Sequence, residues 1–193
     1  MAENAVENKV EFGLKNAHYA IVTDTGTELQ YGDVKAMPGA TEISVDAEGD
    51  SNDFYADDTK YYTAVSNQGY SGKLTVARVT DEFMQDIFGE VKDETSGLQV
   101  DNTDVQPKAI ALMFEFDGDR KKTRHVLFNV TATRPSIGSS SKSDKIEPNT
   151  SELAFTASPD PYAARSKAKA NQGDTSYDSF YDAVPVPGAA PKA

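Results

Sequence analysis

The sequence predicts a mainly β fold: a β-sandwich or barrel of about eight antiparallel strands with one flanking α-helix, long loops and a short C-terminal helix. Three observations predict it. Short runs of residues alternate between apolar and polar, clusters of Gly, Asp, Asn, Ser and Pro separate these runs, and only two segments carry apolar residues at helical spacing. Short strands joined by turns pack as sandwiches or barrels.

The most apolar stretch is residues 109–133, where two alternating arms flank a charged connector that contains Gly118. This pattern is typical of a β-hairpin. Apolar Met113 and Leu127 lie on the opposite faces, so we expect both sides of the hairpin to be covered. The side chains expected to share one face in each arm are Ile110, Leu112, Phe114 and Phe116, and then Val126, Phe128, Val130 and Ala132.

The other elements follow in chain order. Strands are expected at residues 10–14, 17–23, 28–31, 41–45, 73–79, 151–158 and 162–170. The last of these alternates basic residues with Ala, which is typical of an edge strand that discourages wrong pairing. Loops are expected at residues 46–62, 90–106 and 137–149.

Two segments predict helices. In the first, Thr80 is placed to cap the N-terminus and Gly89 to end the helix, with an apolar stripe between them that packs on the core. In the second, Tyr177, Phe180, Tyr181 and Val184 are spaced i, i+3, i+4 and i+7 before Pro185. A helix of two turns is not stable alone. Its aromatic side chains therefore dock either on their own domain or on a neighbouring subunit.

Length and composition predict one domain, residues 1–185, in which residues 162–185 form a C-terminal strand-and-helix arm and residues 186–193 a flexible tail. The apolar fraction of 38% and the mean hydropathy of −0.56 indicate a lean core and favour some stabilisation by neighbouring subunits. There is no Cys, which excludes disulfides and thiolate chemistry. The sequence shows neither a signal peptide nor an apolar run long enough for a membrane span.

The net charge is −12, from 31 acidic and 19 basic residues, which argues against tight nucleic-acid binding and otherwise indicates solubility. The most acidic segment contains Asp46, Glu48, Asp50, Asp53, Asp57 and Asp58. Its spacing resembles a calcium loop in part, but Ser51 occupies the position that requires Gly, so no metal is expected. Four aromatic residues interrupt this segment and predict a contact surface, with strand-edge packing as the alternative: Phe54, Tyr55, Tyr61 and Tyr62.

The sequence predicts no enzyme, and no catalytic residue, cofactor or metal is assigned. Its two histidines, His18 and His125, lie in or beside predicted strands, where packing is the ordinary role of an imidazole. Residues 69–72 resemble a nucleophile elbow only superficially. Phosphate-binding, dinucleotide-binding and paired-His motifs are all absent from the sequence. A binding or structural protein is the expected class.

Several long stretches resemble one family. They are FEFDGDRKKTRHVLFNVTATRPS (residues 114–136), SNQGYSGKLTVARVTDEF (66–83), SVDAEGD followed by FYADD, and ELAFTASPDP. Together with SKAKA and SYDSFYDAVPVP, these stretches resemble the major tail protein family, the tail-tube subunits of long-tailed bacteriophages with non-contractile tails. The resemblance extends from about residue 10 to residue 185.

The resemblance implies a virion protein that self-assembles into hexameric rings, which stack into the tail tube through which DNA is ejected. Its partners would be further copies of itself, the tape measure, the tail terminator and the distal tail protein. Double-stranded DNA would pass through without specific binding. Assembly would take place in the host cytoplasm, with no membrane involved. The six acidic residues above are then candidate lumen or loop residues.

Within that picture the aromatic residues are candidate inter-subunit contacts, because buried aromatics carry much of the energy of interfaces. The candidates are Phe54, Tyr55, Tyr61 and Tyr62 in the acidic segment and Tyr177, Phe180 and Tyr181 near the C-terminus. The alternative function is a monomeric β-sandwich binding module, for example for carbohydrate, that uses its exposed tyrosines.

Overall fold

The computed structural model describes residues 13–118, 121–136 and 149–188. These residues form a mainly β structure, which confirms the predicted fold class, with one short helix. In chain order the elements are β1 (Leu14–Asp24), β2 (Leu29–Ala36), β3 (Ala40–Glu48), β4 (Ser51–Ala56), β5 (Thr59–Val65), β6 (Gly69–Val76), α1 (Asp81–Phe88), β7 (Val91–Lys92), β8 (Gln99–Val100), β9 (Ile110–Phe116), β10 (Arg124–Ala132), β11 (Ser151–Ala157) and β12 (Lys167–Ala170).

The main sheet is antiparallel, with strand order β2-β1-β9-β10-β11-β6-β3, and β12 also pairs with β10. It is therefore open and not a closed barrel. Strand β10 belongs to two half-sheets. Its first part, Arg124 to Leu127, pairs with β12, and its last part, Val130 to Ala132, pairs with β11. The two half-sheets, β2-β1-β9-β10-β12 and β10-β11-β6-β3, pack face to face as a β-sandwich.

Two apolar clusters cover the two faces of the first half-sheet. The inner core lies between the half-sheets and joins Tyr19 and Leu112 to Leu153 and to helix α1. The outer core lies on the opposite face, where Met113 and Phe128 pack against the C-terminal residues. Both faces of the β9–β10 hairpin are therefore covered, which confirms the prediction made from its two apolar sides.

A β-bulge in β10 corrects the predicted faces of that strand. Between Leu127 and Val130 the pairing with β9 gains one extra residue on β10. Val126 and Phe128 therefore face the outer core, while Val130 and Ala132 face the inner core. The four residues do not share one face, because an inserted residue reverses the alternation beyond it. In β9, which keeps regular alternation, all four predicted residues pack on the inner core.

Helix α1 forms as predicted. The side-chain hydroxyl of Thr80 accepts a hydrogen bond from the backbone N–H of Phe83 at 3.2 Å, and Gly89 ends the helix in the left-handed conformation at φ 67°. Phe83, Ile87 and Phe88 are buried in the inner core. Asp86 on the same helix accepts hydrogen bonds from the Tyr19 hydroxyl at 3.0 Å and from Lys35 Nζ at 2.6 Å, which fixes α1 to β1 and β2.

The predicted C-terminal helix does not form. Residues 171–183 instead make consecutive turns, closed by single backbone bonds from Tyr177 N–H to Asp174, Phe180 N–H to Tyr177, and Asp182 N–H to Ser179. A helix would need a bond at each residue, and this short segment of Asp, Ser and Gly has low helical propensity. The turns still place Tyr177, Phe180 and Val184 on the outer core.

Other boundaries differ from the predictions. The strand expected at 17–23 is part of one bulged strand, β1, whereas residues 10–12 lie outside the described part. The loop expected at 46–62 is wrong, because β3 extends to Glu48 and residues 51–65 form the β4–β5 hairpin. The edge strand expected at 162–170 is limited to β12. The loop expected at 137–149 and the tail expected at 186–193 lie mostly outside the described residues. No helix in the described ranges has both the length and the apolar composition that a membrane-spanning helix requires.

A close approach between strands β3, β6 and β11 depends on Gly72. A Cβ atom at this position would overlap the Ser44 carbonyl oxygen and lie 2.6 Å from Cζ of the Phe155 ring. The missing side chain therefore makes room for the Phe155 ring in the inner core. By contrast, a Cβ atom at Gly32 would meet its nearest neighbour, the Ile21 carbonyl oxygen, at an ordinary 3.5 Å.

We expect Gly72→Ala to lower the free energy of unfolding by about 1–3 kcal/mol, because the new methyl group overpacks the inner core. The matched control Gly32→Ala should change it by less than about 0.5 kcal/mol. Urea denaturation followed by circular dichroism measures both. Equal stability of the two variants would show that β6 and Phe155 adjust without cost.

Candidate functional site

Most of the exposed large apolar side chains of the described chain lie on the β4–β5 hairpin, which we name the aromatic hairpin (Ser51–Val65). Its strands pair with each other and with no strand of the main sheet. Its four aromatic side chains are 61–76% exposed: Phe54, Tyr55, Tyr61 and Tyr62. A two-stranded hairpin without a packed face is marginally stable in water. The aromatic hairpin therefore has the features of a surface that another molecule covers.

The sequence determines the shape of this hairpin at its tip. Asp57 and Asp58 have φ values of 51° and 61°, as the two central residues of a type I′ turn require. On β4, the Asp53 carboxylate pairs with Lys60 Nζ at 2.8 Å and accepts a hydrogen bond from the Thr63 hydroxyl at 2.7 Å. These two hydrogen bonds, that of Lys60 first, lower the pKa of Asp53. Phe54 pairs with Tyr62 across the strands.

An acidic surface adjoins the aromatic hairpin. Along β3, Ile43 and Val45 pack on the inner core, so the alternating Asp46 and Glu48 lie on the outer face of the second half-sheet. Glu48 accepts a hydrogen bond from the Ser71 hydroxyl on β6. We name the outer-facing carboxylates of this half-sheet the acidic face: Glu42, Asp46, Glu48 and Glu152.

Two members of the acidic face are absent from the sequence-based candidates. Glu42 was missed although it lies on the same period-two series as Asp46 and Glu48. Glu152 is on β11 and comes near β3 only because both strands pair with β6, so no local pattern indicates it. Its carboxylate pairs with Lys73 Nζ at 2.9 Å. The remaining predicted acidic residues, Asp50, Asp53, Asp57 and Asp58, lie on or beside the aromatic hairpin.

The three C-terminal aromatics lie elsewhere, on the outer core. Phe180 is 1% exposed and Tyr177 is 7% exposed, and Tyr181 is partly buried beside them. The Arg124 guanidinium lies over both tyrosine rings, 3.9 Å from the centroid of Tyr177 and 4.7 Å from that of Tyr181. Burial raises the pKa of Tyr181. These residues pack on their own chain, which is one of the two dockings that the sequence left open, and their contact with a neighbouring subunit stays a prediction.

The histidines have packing roles in the structure. The ring of His18 stacks on Tyr181 with centroids 4.4 Å apart, and that of His125 stacks on Phe114 at 5.3 Å. Within the described ranges no group of three or more His, Cys, Asp or Glu residues is arranged to hold a metal ion.

Comparison with protein-family models and with curated proteins finds no match. Among solved structures, the anti-feeding prophage cap (AFP tube terminating cap) is similar at a TM-score of 0.47 and 11% identity, over 89% of this chain and 99% of that one. The PVC sheath–tube complex of an extracellular contractile injection system, in its extended state, is similar at a TM-score of 0.42 and 11% identity. The match covers 81% of this chain and 88% of that one. Both TM-scores lie below 0.5, so neither likeness establishes a family or a function.

We expect Phe180→Ala to lower the free energy of unfolding by about 3–5 kcal/mol, because it opens a cavity in the outer core. Tyr61→Ala on the aromatic hairpin should change it by less than about 0.5 kcal/mol, because that ring is exposed. Chemical denaturation of dilute, unassembled protein measures both. If Phe180→Ala left dilute protein unchanged, the C-terminal segment would not pack on its own sheet in solution.

Proposed function

We propose that this protein is a tail-tube subunit whose copies assemble into hexameric rings that stack into a tube for the passage of DNA. The observation that carries the proposal is the aromatic hairpin, which exposes four large aromatic side chains on a two-stranded element that has no packed face. The sequence resemblance described above supplies the kind of assembly. In this proposal residues 1–185 act as one domain.

The aromatic hairpin would make the contacts between subunits. Its two faces both carry aromatics, since Phe54 and Tyr55 are consecutive on β4 and point to opposite sides. Contact on two sides suits an element inserted between neighbours, where burial of each aromatic ring excludes water and contributes binding energy. The negatively charged tip, Asp57 and Asp58, would then require a polar or basic environment on the neighbouring copy.

The acidic face would line the bore of the tube. Its carboxylates are fixed on a sheet by strand pairing, so they present a stable row of negative charge. Such a lining repels phosphates, whereas a lining of Lys or Arg would release counterions from DNA and bind it. Among the described residues, strands β3, β6 and β11 contain a single basic side chain, Lys73, and it is paired with Glu152. DNA would therefore slide past without a binding site.

The location follows from the same proposal. The protein would be made in the cytoplasm of a host bacterium and function in the virion, with the tape measure, tail terminator and distal tail proteins as neighbours. No catalysis is proposed, because the sequence carries none of the catalytic motifs considered above and the described residues form no group of three or more possible metal ligands. The alternative, a monomeric carbohydrate-binding module, uses the same exposed tyrosines but gives no role to the acidic face or to the sequence resemblance.

We expect Phe54→Ser/Tyr62→Ser to abolish assembly while leaving the fold intact. The two rings form an exposed cross-strand pair, and loss of two interface aromatics at roughly 2 kcal/mol each weakens association about 1,000-fold. Analytical ultracentrifugation and negative-stain electron microscopy measure rings and tubes, and circular dichroism measures folding.

The matched control is Val91→Ser/Val100→Ser, which removes another exposed apolar cross-strand pair on the β7–β8 hairpin. The control should assemble as the unmodified protein does. Unchanged assembly of the aromatic variant would remove the hairpin from the proposal. An unmodified protein that stays monomeric at every concentration and salt tested would contradict ring formation itself.

We expect Glu42→Lys/Asp46→Lys/Glu48→Lys to make assembled tubes retain DNA, with an affinity that falls steeply as salt increases. Gel-shift assays of assembled protein with short duplex DNA measure retention. The control Glu94→Lys/Asp104→Lys/Asp178→Lys makes the same change in charge at exposed positions outside the acidic face. Equal retention by both variants would show that net charge matters and that the acidic face does not line the bore.

A further inference from the structure

A cleft of about 590 Å³ lies between the C-terminal segment and the first half-sheet, away from the aromatic hairpin and the acidic face. We name it the edge cleft. One wall is formed by residues 31–33 of β2 and another by residues 168–170 of β12. Residues 182–188 form the third wall, and Phe180 lies at the base. This volume falls in the range of pockets that bury small ligands or a few residues of peptide.

The two strands that line the edge cleft are the two ends of one half-sheet. Within the described chain, β2 pairs only with β1 and β12 pairs only with β10. Each strand therefore turns one row of unpaired backbone N–H and C=O groups away from its neighbour. Three consecutive residues of each strand, 31–33 of β2 and 168–170 of β12, line the same cleft. Unpaired edges are templates for an additional strand.

The side chains of the edge cleft favour an occupant with one apolar and one basic face. Ala168, Phe180 and Val184 supply apolar surface. Two carboxylates, Asp33 and Asp182, stand among the lining residues, which include a single cationic side chain, Lys169. In the sequence, the segment between Lys169 and Lys192 contains three acidic residues, Asp174, Asp178 and Asp182, and no Lys or Arg.

The third wall is held in place independently of any ligand. Arg165 Nη1 donates a hydrogen bond to the Pro187 carbonyl oxygen at 3.4 Å, and its Nη2 pairs with the buried Asp160 at 3.2 Å. The outer core anchors the same segment through Val184. A wall fixed in this way pays little ordering entropy when a ligand binds.

We propose that the edge cleft binds an extended, positively charged peptide segment of another protein by strand addition to β2 or β12. The peptide backbone pairs with an open strand edge, its apolar side chains face Phe180, and its basic side chains pair with Asp33 and Asp182. Binding at this site goes beyond the ring-forming role and does not depend on it.

The test uses the full-length chain and a fluorescein-labelled octapeptide of alternating Val and Lys, with fluorescence anisotropy at low salt. We expect saturable one-to-one binding. The same peptide with N-methyl groups on alternate backbone amides should bind at least about tenfold more weakly, because it cannot pair with a strand edge. A peptide of alternating Val and Glu should bind similarly weakly, because it meets Asp33 and Asp182.

Two variants place the binding at the edge cleft. Asp33→Asn/Asp182→Asn should weaken binding of the Val–Lys peptide about five- to tenfold. Ser176→Trp, at an exposed position of the lining, should block binding, whereas Ser136→Trp, at an exposed position elsewhere, should not. The proposal is overturned if the Val–Lys peptide does not bind, if the N-methylated peptide binds equally well, or if Ser176→Trp has no effect. Because anisotropy measures peptide binding and not assembly, such a result leaves the ring proposal untouched.

Discussion

One extra residue in β10 determines how this chain makes two layers from a continuous sheet. Before the bulge between Leu127 and Val130, β10 pairs with β12; after it, β10 pairs with β11. The bulge also reverses which side chains face which core. A bulge bends its strand, and here it turns Val130 and Ala132 toward the inner core that contains Leu112 and Tyr19. The inner core, helix α1 and the position of β3 all depend on this change.

The surfaces proposed for function lie outside both cores. The aromatic hairpin extends from the end of β3, which is itself an edge of the sheet, and the acidic face covers the solvent side of the second half-sheet. A change to either surface therefore costs little folding energy, while a change at Phe180 or Gly72 costs a great deal. This separation allows a sequence to alter what its subunits contact without altering the sandwich that holds them.

Much of the fold could be predicted from local patterns, and the remainder depends on distant pairing. The β9–β10 hairpin, β11 and helix α1 follow from alternation, capping and spacing that lie within a few residues. The faces of Val130 and Ala132 do not follow from such local patterns, because a bulge has no reliable signal in the neighbouring sequence. The hairpin at residues 51–65 could not be predicted from local patterns, because its charged residues are typical of loops. Of the candidate site, Asp46 and Glu48 were found by composition, but Glu152 joins them only through β6.

The pairing of β1 with β9 has a consequence for the time at which the protein acquires its core. Tyr19 pairs with Leu112, so more than ninety residues of intervening chain are synthesised before this contact is possible. At about 5–20 residues per second, a ribosome needs roughly 5–20 s to cover that distance. During this interval β1 and β2 form a hairpin without a core, while α1 has no completed sheet to pack on. Contacts of such long sequence separation also slow folding once the chain is released. The aromatic hairpin, whose pairing is local, is ready long before the sandwich that carries it, so its exposed rings are a risk of premature association in the growing chain.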